Sequence, residues 1–130
     1  MRVSPTFKWL IPYVELGLTY IPKKKITLIG EWKLGQRCGR GHHAAILTSD
    51  NKNYRVYFQT MYHPRTSKKA LEFSKIDIVK TLAHEMAHMK EFDHTPAHTK
   101  LDAKLQSAFM NMLTKSGYIS EEEEMNEKLL

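Results

Sequence analysis

At 130 residues and 42% hydrophobic content, the chain has enough apolar material for one core and too little for two. Its formal charge of +6 is uneven: residues 1–75 carry fourteen Lys/Arg against four Asp/Glu, residues 76–118 hold five of each, and residues 119–130 carry five Glu against one Lys. A single cysteine, Cys38, excludes an internal disulfide framework and suits a reducing compartment, and no apolar run approaches the ~20 residues of a membrane span.

These bounds predict one folded domain over residues 1–118, an acidic tail over 119–130, and a cytoplasmic protein with no membrane partner. Phe7-Lys8-Trp9-Leu10-Ile11 is cut short by Pro12, so the N-terminus does not have the pattern of a signal peptide. The basic N-terminal half could attract nucleic acid or an acidic substrate. A lysine-rich solvated face explains the same charge without a partner, and no oligomeric state is implied.

In chain order, Ser4-Pro5 starts a helical segment through Phe7, Leu10, Ile11, Val14 and Leu18, interrupted by Pro12. It is either a short turn followed by a helix with Pro12 at its first position, or one kinked helix. After Lys23-Lys24-Lys25 the pattern changes to strands, with Ile26–Ile29 and Glu31–Leu34 separated by a break at Gly30. Gly35, Gly39 and Gly41 mark a loop. Residues 43–48 and 54–59 form a hairpin across 49–53, with Tyr54, Val56 and Phe58 on its buried face.

Ser74 and Asp77 make a capping-box start for a central helix, whose Ile78, Val79, Leu82, Met86 and Met89 fall on one side of the wheel. His84, His88, Asp77 and Thr81 fall on the other. Asp93-His94-Thr95-Pro96 ends that helix, and Thr95 caps the next, which runs along Ala97, Leu101, Leu105, Ala108, Phe109, Met112 and Leu113 to Gly117. The fold class is therefore α+β: an N-terminal helix, a small β-sheet, a central helix and a C-terminal packing helix.

The central helix carries His84-Glu85-Met86-Ala87-His88. Two histidines four apart present both imidazoles on one helical face, and the intervening glutamate can reach a water held between them. A shuffled chain of this composition would contain the pattern roughly 3% of the time. Histidines that only filled the core would share the apolar stripe, and these lie across from it. His84 and His88 would thus bind Zn²⁺ with a third ligand, His94 or His98, while Glu85 takes a proton from a zinc-activated water attacking a peptide carbonyl. A structural zinc site would want four closed ligands, usually with more cysteine.

His84-Glu85-Met86-Ala87-His88, followed by His94-Thr95-Pro96-Ala97-His98, resembles the SprT-like and YgjP-like zinc metallopeptidases. The resemblance implies a zincin-like domain, a protein or peptide substrate, and His94 as third zinc ligand, with His98 where the family often has an aromatic. It covers residues 74–105; upstream only the order of elements corresponds. The four-cysteine zinc ribbon of many longer relatives is missing. The alternatives are a catalytically silent zincin-like binding module and a DNA-associated SprT-like protease acting on nucleoprotein. The metzincins share the spacing from His88 to His94, but Glu91 stands where they need glycine. Tyr62, His63 and Tyr118 are candidates for stabilising an oxyanion, His42-His43 for a second metal contact, and Cys38 for a latent zinc thiolate. The strands before the central helix could receive substrate by β-augmentation.

Overall fold

A computed structural model describes residues 1–32, 44–59, 61–62 and 71–117. A 3-10 turn, Pro5–Leu10, buries Phe7 and Leu10 and passes directly into helix α1, Ile11–Leu18. Pro12 sits in the first turn of α1, where it has no helical amide bond to forfeit. The turn-then-helix form is the one adopted.

Four strands build a mixed sheet: β1 (Arg2–Val3), β2 (Lys25–Trp32), β3 (Ala44–Thr48) and β4 (Asn53–Gln59), in the order β1-β2-β4-β3. β2 runs parallel to β1 and β4, while β3 and β4 form the expected antiparallel hairpin with Tyr54, Val56 and Phe58 buried. The expected break at Gly30 is corrected: β2 runs through it, and Gly30 pairs with Tyr57. A Cβ there would come within 2.8 Å of the Tyr57 ring, so the glycine makes room for that ring and its stack on Trp32. The irregularity lies earlier, where the register shifts between Ile26 and Leu28. One extra residue reverses the alternation, and Ile26 and Ile29 both face the core. Strands β5 (Met61–Tyr62) and β6 (Leu71–Glu72) form a separate antiparallel pair.

Helix α2, Lys75–His88, begins where Ser74 Oγ accepts from the Asp77 amide at 3.1 Å. Helix α3, Pro96–Lys115, begins where Thr95 Oγ1 accepts from the His98 amide at 3.2 Å, and Gly117 follows it in the left-handed conformation at φ +75°. Among the described residues, no helix is long and apolar enough to cross a membrane. α2 packs against α3 on one flank and β3 on the other, burying Val79, Leu82 and Met86. Leu105, Phe109 and Leu113 meet them from α3, and Tyr13 of α1 touches the Phe109 ring edge-on at 5.9 Å.

One position of the α3 stripe is corrected. Ala97 is exposed, and His98 takes the inner place one turn before Leu101. The helix supplies one inward position there, and His98, three residues before Leu101, fills it with a ring that reaches the end of α2.

Phe109 joins three helices, so Phe109→Ala should cost about 3–5 kcal/mol of global stability. Urea denaturation of chelator-treated protein measures this without a contribution from metal binding.

Candidate metal centre

A helix repeats every 3.6 residues, so His84 and His88 project one turn apart from the side of α2 turned away from Leu82 and Met86. After α2 the chain folds back through residues 89–95, with the Lys90 and Glu91 amides donating to the Ala87 carbonyl. That return brings His94 to the same place. His84 Nε2 lies 3.2 Å from His88 Nε2 and 3.4 Å from His94 Nε2. His84 and His88 are half-buried and His94 is exposed, so the cluster opens to solvent on one side.

The opposite ring nitrogens explain this convergence. His88 Nδ1 lies 2.8 Å from the Phe92 carbonyl, which can only accept, so Nδ1 carries the proton. His84 Nδ1 lies 3.4 Å from Asp102 Oδ2, another acceptor, with the same consequence. In each neutral ring the remaining lone pair is on Nε2. Burial, which outweighs the hydrogen bond to the Phe92 carbonyl, holds the His88 imidazole below its ordinary 6.5 and so favours that neutral form. Two lone pairs at 3.2 Å repel each other unless a cation lies between them.

The donor set fits a metal ion. With imidazole bonds of about 2.0–2.1 Å, a tetrahedral shell places its nitrogens about 3.3–3.4 Å apart, whereas octahedral neighbours would stand near 3.0 Å. The separations of 3.2 and 3.4 Å match the tetrahedral edge. His84, His88 and His94 could therefore hold a metal ion, as could a second group that shares His84 and adds His98 and Asp102.

His98 is 2% exposed, and its ring centroid is 4.2 Å from that of His88. Its Nε2 donates to the His84 carbonyl at 3.3 Å, which ties the ring to the α2 backbone. Glu85, 8% exposed, lines a groove of about 250 Å³ together with His84, His88, His94, Phe92 and the β3 residues Ala44 to Ile46. Burial pushes the Glu85 carboxyl up to about 7.

Asp102 is the functional residue that sequence reasoning missed. It is the one acid in α3, and Gln106, four residues on, donates to its Oδ1 at 2.9 Å, leaving Oδ2 for His84. An acid next to the stripe residue Leu101, with a hydrogen-bonding partner one turn later, was the available signal. Cys38, His42, His43, His63, Tyr118 and the 119–130 tail lie outside the described residues, as does the side chain of Tyr62.

Removing the orienting carboxylate with Asp102→Ala should weaken metal affinity about 10–100-fold, read by competition with a chromogenic chelator. In metal-free protein, Glu85 binds its proton more tightly folded than unfolded. Its contribution is therefore complete below the ordinary 4.5 and lost as pH rises through about 7. Glu85→Gln should flatten that dependence and stabilise the metal-free protein at pH 8 by up to about 3 kcal/mol, measured by denaturant titration across the range. No family model, curated protein or solved structure matches this chain.

Proposed function

We propose that the chain is a zinc-dependent metallopeptidase of zincin-like type, in which His84, His88 and His94 hold Zn²⁺ and Glu85 is the general base. The observation that carries this reading is the tetrahedral-edge spacing of His84 Nε2 from the Nε2 atoms of His88 and His94, with the tautomers of His84 and His88 set by Asp102 and Phe92. Three neutral imidazoles with one open side suit catalytic zinc better than the harder cations, which prefer oxygen ligands. Bound there, the ion would supply Lewis acidity to water and to a carbonyl oxygen.

The protein's own groups account for the proton movements. Glu85 follows His84 on the same helix and lines the groove, where its carboxyl can both take and return a proton. It takes the proton of the water adding to the carbonyl carbon, then gives it to the amide nitrogen as the C–N bond breaks. Asp102 and the Phe92 carbonyl keep His84 and His88 from rotating. β3 lies at the edge of the sheet beside the groove, which supports binding an extended peptide by strand addition. The order of an N-terminal helix, a small sheet, the histidine helix and a closing helix supports the SprT-like and YgjP-like assignment.

Glu85→Gln should retain one zinc per chain by elemental analysis and lower kcat on a disordered protein substrate about 10²–10⁴-fold. Zinc-loaded wild type that cleaves nothing across a broad panel of disordered proteins would instead identify a silent zincin-like module. Chelator-insensitive, salt-dependent DNA binding without stoichiometric zinc would identify a nucleic-acid partner for the basic half.

A further inference from the structure

Phe92 is 82% exposed, against 55% for Met1, 40% for Leu47 and 38% for Tyr20, the other large exposed hydrophobics among the described residues. A single exposed phenyl on a protein surface is ordinary. This one stands in the wall of the metal groove, on a segment held at both ends. Its carbonyl accepts from His88 Nδ1 at 2.8 Å, the preceding Glu91 amide donates to Ala87, and the Thr95 amide donates to Asp93 at 2.8 Å. Backbone hydrogen bonds thus hold the Phe92 main chain beside the histidines, and its side chain stands exposed at the groove.

The same groove is lined by Ala44, Ala45 and Ile46 of β3, none of which carries a charge or a side-chain hydrogen-bonding group. Among the described residues, the ionisable groups that line the groove are Glu85 and the three histidines. An entering chain therefore meets polar chemistry at the histidines and, in the same groove, the apolar surface of Phe92 and of the β3 residues. Both apolar surfaces lose water contact when an apolar side chain packs against them, and a charged one would lose hydration without gaining a partner.

We infer that Phe92 is a specificity-determining residue: with Ala45 and Ile46 it takes a large apolar side chain of the peptide substrate, next to the bond that is cut. This rests on the peptidase reading of the same groove. The backbone carbonyl orients the metal ligand and the side chain contacts substrate, so the two roles can be separated by mutation.

Two peptide hydroxamates, one with an isobutyl side chain and one with a hydroxymethyl side chain, serve as probes by calorimetry on the zinc-loaded full chain. Wild type should bind the isobutyl compound at least about tenfold more tightly, as expected for extra buried methylenes. Phe92→Ser should bring the two within about twofold, Phe92→Leu should keep most of the preference, and zinc content should not change in either. Equal binding by wild type, or a preference that survives Phe92→Ser, overturns the inference. Because this is a binding measurement, it is separable from the peptidase reading, which fails if zinc-loaded wild type cleaves no peptide even where the hydroxamate preference holds.

Discussion

Two lone pairs pointed at each other across 3.2 Å form the constraint on which the site depends. Imidazoles left to themselves would turn away or share a proton. His84 and His88 stay turned toward each other, because Asp102 and the Phe92 carbonyl hold the opposite nitrogens. The carboxylate comes from α3 and the carbonyl from the segment joining α2 to α3. The geometry of the centre therefore requires α3 to be packed in place on α2. The core built on Leu82, Met86, Leu105 and Phe109 is what supplies that packing.

The same packing sets the electrostatics. α2 lies between α3 and β3, and this flanking leaves Glu85 8% exposed on a helix whose histidines still reach solvent. The raised pKa of the Glu85 carboxyl and the lowered pKa of the His88 imidazole on a shared helix are a consequence of one placement. Burial disfavours the charged form of both groups, which leaves the carboxyl able to hold a proton and the His88 ring able to offer a lone pair. Ionisation of the Glu85 carboxyl is consequently linked to the stability of the whole domain.

Local periodicity made much of the fold legible. The 3.6-residue repeat located α2 and α3, Ser74 and Thr95 marked their starts, and the alternation of Tyr54, Val56 and Phe58 identified the buried face of β4. The readings that required correction depended on partners distant in sequence. Gly30 looked like a strand break because the Tyr57 ring that needs its missing Cβ is 27 residues away. Ala97 looked like a core position because no periodicity distinguishes it from His98, whose ring finds the His84 carbonyl across the interface of α2 and α3.

By itself, the sequence determined that His84, Glu85 and His88 share one stretch of helix with two rings on one face, because side-chain direction in a helix follows from spacing alone. It also narrowed the third donor to His94 or His98. Only the tertiary structure decided that His94 Nε2 reaches His84 Nε2 while His98 is tied to backbone, that Asp102 stands behind His84, and that Glu85 is buried. Each of these depends on where α3 and β3 lie against α2. That placement comes from the packing of residues far apart in the chain, which no local pattern encodes.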